Sequence, residues 1–363
     1  MAETWTIKRC LDWTRDYLTD KKRDDRARFS AELLLCSATG MSRMDLYLNY
    51  DRPLSTEELD LMHKYVVRRM KGEPLQYITG DTQFRTLEIA CEPGVLIPRP
   101  ETEMLVEEVL DFLDAEVLEG AGKSRPRVEL PWNSELEAAR AAELEAAAAK
   151  RAEEASDEEG GGEDPVDEGA EGGEPGPSPA PEPSPEPRLA RVLEIGCGTG
   201  CVSLSLAAER LGHVACVATD VEPRAVALSL KNRDALGIDP TLADFREGDL
   251  TSPVRDDERG TFDVLVSNPP YIPEAVMAQV PDEVKCFEPE LALVSGADGL
   301  DMFRRILETA PHYLRPGGLL ACELYEGAVD TAASLCLSAG FADARVVPDL
   351  TRRPRFVLAR LPR

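Results

Sequence analysis

The stretch Val192-Leu193-Glu194-Ile195-Gly196-Cys197-Gly198-Thr199-Gly200 constrains the fold more than any other part of the chain. An apolar run of strand character meets three glycines spaced two apart, and a helical pattern follows from Gly200. Glycines there let the backbone turn sharply and let a ligand approach main-chain atoms with no Cβ in the way. Downstream, strand and helix alternate. Strands are expected at 191–195, 214–219, 243–246, 262–267 and 319–323, with helices starting at Gly200 and Pro223 and covering 300–314 and 328–339. Two last strands, 344–348 and 356–358, leave no room for a crossover helix and require an antiparallel hairpin. The expected fold class is therefore α/β, a Rossmann-like sheet that is parallel except for one antiparallel strand.

The rest of the chain divides by composition. From Thr4 to Lys71 apolar residues recur at helical spacing, with Ser55-Thr56-Glu57-Glu58 as a capping signal before Leu59, Met62, Val66 and Met70. A small helical bundle is expected over 1–72. Gly72-Glu73-Pro74 stops its last helix, and a β-hairpin broken at Pro93-Gly94 is expected within a linker over 73–100. A linker helix over 101–118 carries the stripe Met104, Leu105, Val109, Phe112 and Leu113. Residues 119–188 are Ala/Glu-rich and then rich in Gly, Pro, Glu and Ser, without apolar period, and are expected to be a disordered surface insertion. The catalytic part is expected over 189–363.

The formal net charge of -27 overstates how acidic the folded part is. Ala152 to Pro187 alone holds 13 acids and no Lys or Arg, about half of the excess. No basic stripe interleaved with aromatics is present, so direct nucleic-acid binding is not expected. The nine scattered cysteines show no zinc-like spacing, so no metal is expected, and Cys197 and Cys201 are read as small packing residues around the glycine turn. There is no apolar run of membrane-spanning length, and Met1 to Arg9 lacks the core of a signal peptide. A cytoplasmic monomer that does not enter a membrane is expected.

A glycine-rich turn alone serves dinucleotides, phosphates or tight packing equally well. Its spacing here is Gly-x-Gly-x-Gly, not Gly-x-Gly-x-x-Gly, and an acid, Glu194, precedes it, which suits a cationic, phosphate-free ligand. Asp220 ends the next strand, where a carboxylate can accept both hydroxyls of a ribose. Asp249 and Leu250 follow the third strand, in place for an adenine amine and an adenine face. S-adenosyl-L-methionine is the cofactor this order implies.

After the fourth strand comes Asn268-Pro269-Pro270-Tyr271. An amide nitrogen is a poor nucleophile because its lone pair is delocalised, so an enzyme must orient it and stabilise the positive character it gains. The Asn268 oxygen and the Pro269 carbonyl can accept its two N–H groups, the prolines hold both acceptors rigid, and Tyr271 can cover the flat target. Asn268, Pro269 and Tyr271 are the expected catalytic residues, with Pro270 completing the substrate site.

These segments resemble the bacterial release-factor glutamine methyltransferases. The resemblance rests on Gly72 to Ile78, on Val95-Leu96-Ile97-Pro98-Arg99-Pro100-Glu101-Thr102-Glu103, on the glycine turn, on Asn268 to Pro273 and on Phe287-Glu288-Pro289. It covers nearly everything but the insertion. It implies a class I methyltransferase that methylates the glutamine N5 of the Gly-Gly-Gln loop in class I peptide-chain release factors. The alternative is an amino-methyltransferase acting on N6 of adenine or on another nucleic-acid base. The resemblance further implies that Gly196, Cys197, Gly198, Thr199, Gly200, Asp220, Leu250 and Asn268 line the cofactor, that Arg99 and Glu101 order the linker over its methionine end, and that the N-terminal helices grip the release factor. Two departures from the family pattern, Glu323 to Gly327 and Asp349 to Arg353, are expected to lie away from the centre.

Overall fold

The computed structural model describes residues 4–21, 24–118 and 188–363; the insertion expected over 119–188 lies outside them except for Arg188. Near the N-terminus, α1 (Ile7–Asp20), α2 (Ala27–Thr39), α3 (Arg43–Leu48) and α4 (Thr56–Met70) follow one another. Ser42 and Ser55 close capping boxes with Asp45 and Glu58, satisfying backbone donors that a helix start leaves open. The cluster these helices bury includes Leu11, Leu34, Leu35, Met62 and Val66, and continues into Leu75 and Ile78 of the short α5 (Leu75–Thr79).

The hairpin is placed differently from the sequence expectation. Strands β1 (Asp81–Phe84) and β2 (Leu87–Ala90) pair antiparallel around Arg85-Thr86, and the Pro93-Gly94 turn comes after them in a segment without regular strand. Arg85 turns the chain at φ 52°, a conformation that a sequence normally announces with Gly or Asn. Its side chain holds it there, paired with Glu107 at 2.6 Å and with Glu209, and donating to the Glu103 carbonyl at 2.9 Å.

Helix α6 (Thr102–Glu116) then leads into the main sheet, whose strands are β3 (Ala190–Ile195), β4 (Val214–Asp220), β5 (Ala243–Glu247), β6 (Phe262–Ser267), β7 (Leu314–Glu323), β8 (Asp343–Pro348) and β9 (Pro354–Arg360). Their order is β5-β4-β3-β6-β7-β9-β8. The pairs from β5 through to β7 are parallel, and β9 runs antiparallel to both β7 and β8. This is the Rossmann-like class I methyltransferase sheet. Because side chains alternate along a strand, Val192 of β3 faces a layer with Leu105, Val109 and Leu204, whereas Leu193 faces one with Phe303, Ile306 and Ala332. Those residues belong to α6 and α7 (Cys201–Glu209) on one face and to α10 (Asp301–Tyr313) and α11 (Val329–Ser338) on the other; α8 (Pro223–Ala235) and α9 (Asp282–Phe287) are the remaining α-helices among the described residues. The strand order reverses between β3 and β6, and a crevice opens at the carboxyl ends there. No helix among the described residues is long and apolar enough to cross a membrane.

Candidate active site

Two clefts meet at the ends of these strands, and they are built differently. Gly196 and Gly198 wall the first. Both have positive φ, and a Cβ at Gly196 would stand in open space while one at Gly198 would just touch Val95 at 4.0 Å. That opening is what close approach of a ligand to the backbone requires.

The other members of the turn do not line this cleft. A Cβ on Gly200 would lie 2.9 Å from Phe245 Cζ, so that glycine serves packing at the start of α7. Cys197 is buried with its Sγ 3.5 Å from Ser229 Oγ, and the Thr199 carbonyl accepts from Asn232 Nδ2 at 2.9 Å. A tight turn directs successive residues to opposite sides, so Cys197 and Thr199 back the wall that Gly196 and Gly198 form, and Gly200 lies behind it because Phe245 packs against it. Glu194 also points away. It is fully buried behind the turn and accepts from the backbone N–H of Ser203 at 3.0 Å and from its hydroxyl, and burial pushes its carboxyl up to about 8. Its expected service to a cationic ligand is thus replaced by a structural one.

Asp220 and Leu250 line the first cleft, as does Asp249. The Asp220 carboxylate accepts from the backbone N–H of Gly198 and of Glu222, each at 2.9 Å, and so ties the glycine turn to the end of β4. Burial raises its pKa above the usual carboxylate value. Glu222 also lines the cleft, two residues beyond the strand end where an acid was sought. The Asp249 carboxylate is paired with Arg305 at 2.6 Å. Leu250 sits at φ 51°. Gly94, Val95 and Leu96 of the linker form part of the wall, held by the Tyr77 hydroxyl donating to the Val95 carbonyl at 2.7 Å. Arg99 and Glu101, expected over the same cleft, line the second one instead. There Arg99 pairs with buried Glu288 at 2.6 Å; Glu101 lies 3.9 Å from Arg353. Arg99 follows Leu96 by three residues along an extended, proline-containing segment, which carries it past the rim of the first cleft.

Asn268, Leu96 and Ala292 border both clefts, and Asn268 is the polar residue among them. Pro269 and Pro270 line the first and Tyr271 the second. Gly299 packs so closely against this loop that a Cβ would lie 2.3 Å from the Tyr271 carbonyl oxygen, and the Ile272 N–H donates to Leu293 at 2.8 Å. The Asn268 Nδ2 donates to Thr102 Oγ1 at 3.0 Å, whereas its Oδ1 is buried without a partner. Thr102 donates to Glu323 Oε2 at 2.7 Å, and the Tyr271 hydroxyl donates to Glu323 Oε1 at 3.1 Å. Arg355 donates to the Tyr271 hydroxyl at 2.8 Å and lies over its ring, 4.9 Å from the centroid.

Both departures expected away from the centre therefore border it. Glu323 is its buried carboxylate, and Tyr325 and Arg353 line the second cleft. Thr102, Glu323 and Arg355 were not among the expected site residues, although Thr102 lies in the linker segment of the resemblance and Glu323 opens the first departure. A lone acid closing the apolar run Leu319-Leu320-Ala321-Cys322 was the available signal for Glu323. Thr102 is marked only by its place in the linker segment of the resemblance.

Comparison with known proteins agrees with this architecture. Residues 9–80 match the model of the PrmC N-terminal domain, and residues 184–281 match that of the methyltransferase small domain. A release factor glutamine methyltransferase of Geobacter sulfurreducens is 35% identical over 359 residues, which is 99% of this chain and 98% of the relative. One of Chlorobaculum tepidum is 31% identical, covering 97% and 96%, and one of Koribacter versatilis is 28% identical, covering 98% and 99%. With a shared length of that extent, a methyltransferase sheet and the Asn-Pro-Pro-Tyr loop at its switch point, the chain belongs to the release factor glutamine methyltransferase family.

Proposed function

We propose that this chain transfers a methyl group from S-adenosylmethionine to the side-chain amide nitrogen of the glutamine in the Gly-Gly-Gln loop of class I peptide-chain release factors. The observation that carries it is the unpartnered, buried Oδ1 of Asn268 between the two clefts. A buried acceptor left without a donor costs about 1–3 kcal/mol. A primary amide N–H entering the second cleft removes that cost.

The first cleft suits the cofactor, since Gly196 and Gly198 leave open the space that side chains would fill. Asp220, with Glu222 beside it, is assigned to the ribose hydroxyls, and Asp249 and Leu250 to the adenine. Cys197, Thr199 and Gly200 are assigned to shaping the turn. When bound, S-adenosylmethionine would supply a methyl carbon made electrophilic by its sulfonium, open to the amide lone pair, with the thioether sulfur keeping the carbon–sulfur electron pair.

Asn268 Oδ1 and the Pro269 carbonyl accept the two N–H groups of the target, which fixes the amide plane and meets the positive character that nitrogen acquires. The surplus proton on the methylated nitrogen leaves to water. Tyr271, whose ring carries Arg355 and whose hydroxyl is tied to Glu323, forms a fixed wall for the flat amide. The names of the relatives support a release-factor glutamine as the target, and the N-terminal helices are assigned to gripping that protein.

The test is mass spectrometry of a purified release factor incubated with this chain and S-adenosylmethionine. The peptide holding Gly-Gly-Gln should gain one methyl group. No gain under conditions where the cofactor is bound, or an equal gain in a substrate whose glutamine is replaced by alanine, would sink the proposal.

A further inference from the structure

We propose that Thr102 and Glu323 are positioning residues which decide which way round the Asn268 carboxamide stands, so that its oxygen and not its NH2 group meets the substrate. The inference rests on the assignment of Asn268 as acceptor for the target amide. A carboxamide has nearly the same shape in its two orientations, which differ only in where the acceptor and the two donors lie. The reversed orientation would set donors against the donors of a substrate amide. Something in the protein must exclude it.

Direction in a hydrogen-bond chain is set by the member with no proton to give. A carboxylate only accepts, and Glu323 is fully buried with Thr102 Oγ1 2.7 Å from its Oε2. Thr102 has a single hydroxyl proton, and it is spent on that bond. Its oxygen then presents only lone pairs to Asn268, 3.0 Å away, and only the NH2 group can face them. Oδ1 is left turned to the other side, unpaired.

The same carboxylate orients the second member of the loop. Arg355 donates to the Tyr271 hydroxyl, so the Tyr271 proton is directed to Glu323 Oε1. Burial pushes the Glu323 carboxyl above its ordinary value, and Arg355, 3.4 Å away, opposes that shift. Thr102 is itself 2% exposed and opens α6, immediately after the linker. The helix joining linker to catalytic sheet thus delivers the hydroxyl that sets the amide.

The test compares Thr102→Val, which keeps the shape but lacks the hydroxyl, with Thr102→Ser, which keeps the hydroxyl. Thr102→Val should lower kcat for release-factor methylation at least about tenfold, while KM for the release factor and the cofactor Kd stay within about threefold. Thr102→Ser should restore most of the lost kcat. A second readout needs no turnover: the side-chain amide signals of Asn268 in 15N-labelled, cofactor-bound protein, assigned by their loss in Asn268→Asp. One of the two protons should be shifted and protected from exchange in the unsubstituted protein and in Thr102→Ser, and lose both properties in Thr102→Val.

Unchanged amide signals in Thr102→Val would overturn the proposal, as would an unchanged kcat or an equal loss in Thr102→Ser. If the unsubstituted protein leaves the release factor unmethylated, the functional assignment falls, and the amide signals still decide the positioning role. Should Thr102→Val not fold, Glu323→Gln serves in its place. A carboxamide has one acceptor oxygen and one NH2 donor where the carboxylate has two acceptors. Tyr271, already receiving from Arg355, needs the oxygen, so the NH2 faces Thr102 and turns its proton toward Asn268, and the same two measurements should change together.

Discussion

The two clefts that meet at Asn268 solve opposite problems with different materials. The first combines apolar side chains such as Ile195, Leu250 and Met302 with a stretch of bare backbone: glycines at positive φ, and an Asp220 whose carboxylate ties the glycine turn to the end of β4. The second is walled by side chains whose directions are set by buried carboxylates, Glu323 behind Tyr271 and Asn268, and Glu288 behind Arg99. A backbone wall tolerates substitution of its neighbours but not a new Cβ. A side-chain wall keeps its shape when one member is trimmed, yet loses the direction of its hydrogen bonds. Damage to the first should therefore appear in cofactor affinity, and damage to the second in turnover.

The largest effect is expected where the clefts join. Asn268→Ala should lower kcat about 100- to 1000-fold, the range seen when one preorganised hydrogen-bonding group at a reacting centre is removed. Because the Asn268 amide bonds Thr102 and none of the residues assigned to the cofactor, the cofactor Kd should change by less than about threefold. Titration calorimetry beside single-turnover kinetics separates the two. A parallel loss of affinity would mean that Asn268 belongs to the first cleft more than to the second, and would break the contrast.

The same contrast explains what could be read before the structure. A wall made of backbone leaves a local trace, so Gly196, Gly198 and Asp220 stand out within a short window, as does the alternation of strand and helix that carries them. Within that window the sequence does not tell a glycine that faces the ligand from Gly200, which is a glycine because Phe245 lies against it. A wall made of side chains leaves no such trace. Thr102 and Asn268 are 166 positions apart and Thr102 and Glu323 are 221 apart, so neither pairing has a spacing to recognise. The hairpin turn escaped for a related reason. Arg85 holds its positive φ through Glu107 and Glu209, and a distant ion pair substitutes for the local signal of a glycine.

A smaller and opposite effect should follow from adding one methyl group to the first cleft. At Gly196, φ 75° is strained for any L-residue with a Cβ, and the added atom projects into open cleft and not into protein. Gly196→Ala should raise the cofactor Kd about tenfold while kcat at saturating cofactor stays within about twofold. Equilibrium binding and saturation kinetics check this. A fall in kcat with unchanged Kd would show that the glycine turn communicates with the target amide, which the present division between the clefts denies.

The smallest effect lies behind the first cleft, at Glu194. Its two bonds from Ser203 need only an acceptor oxygen, and a carboxamide offers one; what Glu194→Gln removes is the titration. Burial raises the folded-state pKa from 4.5 to about 8. In that interval the unfolded chain has lost the proton and the folded chain keeps it, so stability from this group is complete below the unfolded value and declines as pH rises to about 8. Between those limits the melting temperature of the unsubstituted protein should fall relative to that of Glu194→Gln, and the two curves should run parallel above them. Activity at neutral pH should differ by less than about twofold, because Glu194 faces α7 and neither cleft. A pH-independent offset in melting temperature would show that Glu194 is already ionised in the fold. A large loss of cofactor affinity would restore to it the role beside a cationic ligand that its place in the sequence first suggested.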